Sequence, residues 1–350
     1  MTMPSPVTDR LARPLGVLRL SLTARCNLSC PYCCPESIEP PGLLTTADQL
    51  RLISAACRLG AHTLRLTGGE PLLTERLWPL LDALSLGRQT AAHPFSRLKE
   101  VAITTNGSLL NDNKARRLRA AGVDRITISL DAVDGASIAR MAGLRSGPEA
   151  GNALFARVLA GIDAARAAGF DPAQGGLKLN AVIQRGFNDD QLIPLARLAR
   201  QQRLQLRLIE YMDVGNRNGW CRDQVMPAQE MIQLLHRHWP IQPIGRPVAG
   251  TSRQWSYQDG GGIVGTIASI SEPFCSDCNR LRITADGQAF TCLFASEGTD
   301  LRQWLREDVA DSLLQNALSE LWSVRSDRFS EQRGLEQPVN HHAEMAYLGG

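Results

Sequence analysis

Along residues 17–212, short runs of alternating or continuous apolar residues recur. Between them lie stretches with an apolar residue every three to four positions. Residues 17–22 (VLRLSL), 62–67 (HTLRLT), 100–105 (EVAITT), 124–130 (DRITISL), 177–183 (LKLNAVI) and 204–212 (LQLRLIEYM) read as six strands. Helices are predicted at 46–59, capped by Thr46, and at 74–84, 111–121, 151–168 and 189–200. Residues 85–97 are polar, carry Gly and Pro, and read as an expanded loop. Strands alternating with helices make parallel βα units. Six units are fewer than the eight of a complete TIM barrel. The expected fold is therefore α/β, an incomplete (β/α)6 TIM-like barrel with a C-terminal domain.

The pattern weakens after residue 215. One helix is expected at 227–238, a turn at Gly260, Gly261 and Gly262, and a helix-rich segment at 300–322. The expected division is an N-terminal arm (1–16), the barrel (17–218), a C-terminal ligand-binding domain (219–340) and a tail (341–350).

Composition changes this picture little: 43% hydrophobic and 21% charged residues are ordinary for a soluble globular protein. A net charge of +3 is too small to suggest a nucleic-acid surface. No apolar run has the length of a membrane span, and the first residues lack the apolar core of a signal peptide. A reducing, cytoplasmic setting is expected, where clustered cysteines mean metal binding or catalysis more often than disulfides.

The nine cysteines then matter. Cys26, Cys30 and Cys33 follow the first predicted strand with spacing C-x3-C-x2-C. Three thiols without a fourth fit a metal site with an open position, or an iron–sulfur cluster with one free iron; a zinc site completed elsewhere is the alternative. Gly68-Gly69-Glu70-Pro71 ends the second strand, where parallel α/β folds present ligands. Its glycines allow close backbone approach and its carboxylate could accept from an ammonium. A second group, Cys275, Cys278 and Cys292, also has three thiols, with His341 and His342 as possible fourth ligands to zinc. Arg280 and Arg282 share one face of a strand beside it. Arg19, Arg65, Lys178 and Arg207 interrupt strands that should be apolar where buried. With Thr104 at a strand end they read as a lining for a polyphosphate, which guanidinium forks suit.

C-x3-C-x2-C with Tyr32 before its last cysteine resembles the cluster motif of the radical S-adenosylmethionine enzymes. The stretches LRLSLTARCNLSCPYCCPE, LRLTGGEPLL, ITTNG, ITISLDA, LRLIEYMDVGN and SEPFCSDCNRLRITADG, with the terminal Gly349-Gly350, are similar nearly end to end to the GTP 3′,8-cyclase family of molybdenum cofactor biosynthesis. The resemblance implies two 4Fe–4S clusters, on Cys26, Cys30 and Cys33 and on Cys275, Cys278 and Cys292. It implies S-adenosylmethionine at Tyr32, Gly68, Gly69, Glu70, Ser129 and Met212, with Asp131 nearby. GTP would contact Arg19, Arg65, Thr104, Lys178, Arg207, Arg280, Leu281 and Arg282. The tail glycines Gly349 and Gly350 would enter the active site. The implied activity is that of a lyase: a 5′-deoxyadenosyl radical takes the ribose 3′ hydrogen of GTP, and the sugar radical attacks carbon 8 of guanine. An electron donor, a homodimer and cyclic pyranopterin monophosphate synthase as the next enzyme are implied too, and neither nucleic acid nor membrane as a partner.

Members often carry Lys where this chain has Thr63, which leaves one phosphate contact either missing or taken over by His62 or another base. Cys34 reads as a spare thiol, and Cys57 and Cys221 have no assigned role. Two other readings stay open: a radical enzyme acting on a peptide, and a nucleotide-binding redox regulator that is not an enzyme.

Overall fold

The computed structural model describes residues 6–333 and 342–349; Gly350 and His341 lie outside the described residues. The six expected strands form as Val17–Ser21 (β1), Thr63–Thr67 (β2), Glu100–Thr105 (β3), Arg125–Ser129 (β4), Leu177–Ile183 (β5) and Gln205–Glu210 (β6). Six more follow: Ile241–Gly245 (β7), Arg253–Tyr257 (β8), Ile263–Ile267 (β9), Arg280–Ile283 (β10), Gln288–Phe290 (β11) and Thr299–Asp300 (β12). All belong to one sheet, in the order β12-β11-β10-β1-β2-β3-β4-β5-β6-β9-β8-β7.

The chain beyond β6 thus rejoins the barrel from both edges. β9 pairs in parallel with β6, and β10 in parallel with β1. Counted through these pairings, eight strands run parallel, but no ladder joins β9 to β10 among the described residues. The barrel stays open on that side, and the segment from β9 to β10 carries Cys275 and Cys278 across the gap.

Strand alternation decides where the core lies. In β5, Leu177, Leu179, Ala181 and Ile183 are buried while Lys178, Asn180 and Val182 are only half-buried. The apolar set faces outward, joining Leu20, Leu64, Ile103, Ile128 and Leu206 of other strands with helical Leu52, Leu81, Leu118, Ile162 and Leu195 in one cluster. Burying each such side chain contributes about 1.5–3 kcal/mol. The hydrophobic core is therefore the layer between strands and helices, and the inner face is left to polar residues.

Several local expectations need correction. Thr45, not Thr46, caps the helix Thr46–Arg58: it accepts from the Asp48 amide at 3.1 Å, while the Asp48 carboxylate accepts from the Thr45 amide at 2.9 Å. The second helix is Leu77–Gln89 and runs into the expected 85–97 loop. Gly87 is helical there, and an added Cβ would come within 2.5 Å of Phe95, so this glycine serves close packing instead of ending the helix. Pro94–Arg97 forms a single 3-10 turn with Phe95 buried. The helix Gly135–Met141, capped by Asp134, was not foreseen, and Gly147–Ala167 starts earlier than its apolar pattern. In the 300–322 segment, regular helix is confined to Asp311–Ser323. Residues 6–16, expected as an arm, pack down: Thr8 bridges Pro14, and Asp9 and Arg13 are buried as an ion pair at 2.6 Å.

Candidate active site

The inner face is a surface of cations. Ladder partners run Arg282, Arg19, Arg65, Ala102 and Arg125 from β10 to β4. Thr127, Lys178 and Gln205 continue it, as do Asn180, Arg207 and Gly265. Arg19, Arg65, Thr104, Arg207, Arg280 and Arg282 line a cleft of about 1010 Å³, together with Met212, Cys275, Cys278 and Cys292. Lys178 lies deeper, in a connected cavity at the strands' N-terminal end that shares Arg19, Arg65, Arg207 and Arg280 with the cleft. Leu281 is different: strand alternation turns its fully buried side chain into the core beside Leu18. It offers the cleft no side chain, so a contact there would come from its backbone.

Burial and this crowding of like charge depress the cations. Burial lowers Arg19 well below its ordinary value, and Arg282, Arg65, Arg280 and Arg207 push it further. Burial and Arg125 bring Arg207 to about 9, and burial and Arg280 bring Arg282 to about 10. Burial and Arg207 lower Lys178 to about 8. Among the described residues, buried polar atoms here also lack a partner: Nε of Arg65 and Arg207, Nη1 of Arg282, Oγ1 of Thr104 and Oδ1 of Asn180. Unpaired buried donors and charges are costly, and a polyanion with oxygen acceptors answers both needs.

The first cysteine group sits on the loop after β1. Cys26 Sγ accepts from the Leu28 amide at 3.4 Å and from Asn106 Nδ2 at 3.6 Å. Burial, then the Asp131 carboxylate, raises Cys30 well above the ordinary thiol value. Tyr32 donates to Asp131 at 2.8 Å, and the other Asp131 oxygen accepts from the Val182 amide at 2.8 Å. The Gly-Gly turn packs onto this loop: the Gly69 amide donates to the Thr23 carbonyl at 2.8 Å, and a Cβ on Gly69 would lie 2.1 Å from the Arg25 carbonyl oxygen. Glu70 is fully buried, and its carboxylate is already bonded by the Leu72 amide at 3.0 Å, Thr105 Oγ1 at 2.7 Å and the Asn106 amide at 2.8 Å. Its side chain is thus not open to a ligand ammonium, and it acts as a positioning residue that ties the ends of β2 and β3 together. Ser129 lies half-buried at the end of β4, against the same small recess as Cys30 and Tyr32. Cys34 has a left-handed backbone (φ 48°), and its thiol donates to the Pro31 carbonyl at 3.1 Å, as a spare thiol would.

The second group is held by residues that sequence reasoning missed. Arg13 Nη1 donates to the Cys275 carbonyl at 2.7 Å, and Arg325 Nη1 to the Cys278 carbonyl at 2.7 Å. Both guanidiniums pair with buried Asp9. Burial alone would raise Cys278, but Arg280 and Arg325 bring it to about 6. Buried Glu210, at the end of β6, accepts from the amides of Ala228, Ile270 and Ser271 at 2.8–2.9 Å and so anchors the segment leading to Cys275. Only the spacing of an acid at a strand end could have signalled it. His342 pairs with the Phe294 carbonyl at 2.8 Å.

The tail joins the two groups. Met345 and Leu348 pack in one apolar cluster with Val214, Met212, Cys33 and Cys292. The Gly349 carbonyl accepts from Arg19 Nη2 at 2.6 Å. Gly349 has φ 77°, and an added Cβ would lie 2.2 Å from Thr67 Oγ1 and 2.5 Å from Ser21 Oγ.

Among the described residues, no three His, Cys, Asp or Glu side chains converge as ligands to a single metal ion. All six cysteines of the two trios are free and half-buried. Cluster thiolates bind different irons and need not meet at a point, and amide donors to sulfur, as at Cys26 and Cys292, suit them. The residues present fit iron–sulfur ligation.

Residues 20–199 match the radical SAM superfamily, and residues 204–331 match the family described as Molybdenum Cofactor Synthesis C. A GTP 3′,8-cyclase of Synechococcus sp. (strain WH7803) is 62% identical over 350 residues, covering 100% of both chains. One from Acidothermus cellulolyticus is 42% identical, covering 99% of this chain and 100% of its own. Among solved structures, Streptococcus suis SuiB bound to its precursor peptide SuiA superposes with TM-score 0.59 at 14% identity, covering 96% of this chain and 76% of that one. The anSMEcpe protein with bound AdoMet and a peptide gives TM-score 0.52 at 12% identity, covering 95% and 94%. These two likenesses show the shared fold alone. With full-length relatives at this identity, and a cationic cleft bordered by the second cysteine trio, the chain belongs to the GTP 3′,8-cyclase family of radical S-adenosylmethionine enzymes.

Proposed function

We propose that the cleft binds GTP and that the chain joins its ribose 3′ carbon to carbon 8 of guanine. The product is 3′,8-cyclo-7,8-dihydroguanosine 5′-triphosphate, at the first step of molybdenum cofactor biosynthesis. One observation carries this reading: buried cations and unpaired polar atoms line a cleft that also holds Cys275, Cys278, Cys292 and Met212. Cys26, Cys30 and Cys33 would hold a 4Fe–4S cluster, which with S-adenosylmethionine would supply the radical chemistry for hydrogen abstraction.

The protein's own residues do the rest. Tyr32, the backbone of Gly68 and Gly69, Ser129 and Met212 form the S-adenosylmethionine bed, and Glu70 fixes the turn that presents the glycines. Arg19, Arg65, Lys178 and Arg207 offset triphosphate charge, and their forks orient it. Thr104 adds a hydroxyl. Cys275, Cys278 and Cys292 hold a second 4Fe–4S cluster beside Arg280 and Arg282, where the guanine edge binds. Gly349 keeps Arg19 aimed inward and helps exclude water. In this reading 17–218 form the radical unit and 219–340 the second-cluster unit. The protein is a homodimer served by a one-electron donor, and cyclic pyranopterin monophosphate synthase consumes its product. Among the described residues no helix is long and apolar enough to cross a membrane.

The test is anaerobic turnover of reconstituted protein with dithionite, S-adenosylmethionine and GTP, with the product identified by mass spectrometry. The cyclised triphosphate and GTP-dependent 5′-deoxyadenosine are expected. Cofactor cleavage indifferent to GTP would point to a peptide substrate, and no cleavage at all to a regulator.

A further inference from the structure

At the N-terminal end of the strands the cleft opens into a cavity of about 1550 Å³. It is lined by Arg19, Arg65, Arg125, Lys178 and Arg207, and Glu100 is the one acid among its lining residues. Glu100 and Arg125 form a two-point pair, with Nε to Oε1 at 2.7 Å and Nη2 to Oε2 at 2.8 Å. The remaining terminal nitrogen, Nη1, donates to Thr127 Oγ1 at 3.1 Å. That buried hydroxyl also accepts from Arg207 Nη2 at 3.2 Å. A guanidinium has five N–H donors, so Arg125 keeps one free N–H on each terminal nitrogen. It is held flat and aimed by three bonds.

A purely structural ion pair does not account for this placement. Arg125 is close enough to Arg65, Arg207 and Lys178 to lower each of them. One carboxylate cannot balance that many cations in a confined space. Positive charge therefore continues down to the base, and Glu100, beside Thr63 on the neighbouring strand, marks its end.

Resting on the proposed GTP reading, we infer that Arg125 is a further substrate-positioning residue that reads the terminal phosphate, with Glu100 and Thr127 setting its angle. Together they make the base of the barrel a measure of phosphate-chain length. Arg125 supplies its two remaining N–H groups to the last phosphate, a cation at the site where Thr63 supplies none.

Equilibrium binding of GTP, GDP and GMP to the anaerobically reconstituted full chain tests this, using Arg125→Gln and Glu100→Gln. Arg125→Gln should weaken GTP roughly tenfold or more and GMP less than about twofold, so that preference for the triphosphate collapses. Glu100→Gln keeps the cation but releases its aim, and should reduce the GTP-to-GDP preference several-fold without loss of GDP binding. Iron content and S-adenosylmethionine binding should be unchanged in both. Should Arg125→Gln misfold, Arg125→Lys keeps the charge without the fork and should still lose several-fold for GTP alone. Equal weakening of all three nucleotides, or none, would overturn the inference and leave Arg125 structural. Wild-type protein that binds no GTP would instead overturn the functional reading on which this rests.

Discussion

The two cysteine trios share a ligand count and differ in almost everything around it. Cys26, Cys30 and Cys33 sit on a loop tied to neighbouring strand ends, with the half-buried Asp131 carboxylate nearby and Tyr32 bonded to it. Cys275, Cys278 and Cys292 lie among guanidiniums, with Arg280 beside Cys278, and Arg13 and Arg325 bonded to the loop backbone. An acidic surround suits a ligand that brings an ammonium group. A basic surround suits one that brings phosphate or an electron-rich ring edge. Two groups of three thiols are thus set in opposite charge surroundings by residues drawn from distant parts of the chain.

Four experiments would break or sharpen this contrast. Cys26→Ala carries the largest expected effect: 5′-deoxyadenosine falls to background, and iron drops from about eight per chain to about four. Retained cleavage would mean that the first trio is not the radical-forming site. Cys278→Ala should show the same iron loss with the opposite phenotype, S-adenosylmethionine binding within about twofold of wild type but GTP binding weakened about tenfold. If instead it loses the cofactor and keeps GTP, the assigned tasks are reversed.

Gly349→Ala forces a Cβ against Thr67 and Ser21 at a left-handed backbone, which costs about 1–2 kcal/mol or displaces the tail. Product formation should fall roughly tenfold at unchanged iron content. A wild-type rate would separate the tail from Arg19 function.

The smallest effect concerns pH. Lys178 faces Arg207, Arg125, Arg65 and Glu100, and burial followed by the cations brings it to about 8. Its charge is present below that value and lost as pH rises through it, so GTP affinity should decline a few-fold between about pH 7 and 9. Lys178→Gln should bind more weakly at pH 7 and lack that step; a step that persists belongs to another group.

Much of the site was legible because strand alternation and chemistry coincide there. Arg19, Arg65, Lys178 and Arg207 broke apolar runs, and the structure places all four on the inner face. Arg125 and Glu100 stand at strand starts, where a polar residue interrupts no apolar run. Asp9, Arg13 and Arg325 were invisible, since nothing local says that a segment near the N-terminus will buttress a loop 262 residues away. Glu70 misled in the opposite way. Its place in a ligand-facing turn suggested a ligand contact, whereas burial gave the carboxylate three partners of its own.

Periodicity and spacing by themselves determined the parallel βα units, the outward-facing core and the two trios of potential ligands, because these depend on residues close in sequence. The tertiary structure alone decided that β9 and β10 complete eight parallel strands, one docking on each edge. It also brought Gly349 to Arg19, 330 residues away. Sheet edges are unpaired backbone donors and acceptors that any suitable strand can satisfy. Which strand does so depends on the packing of the whole chain, and that choice places the second trio at the cationic cleft.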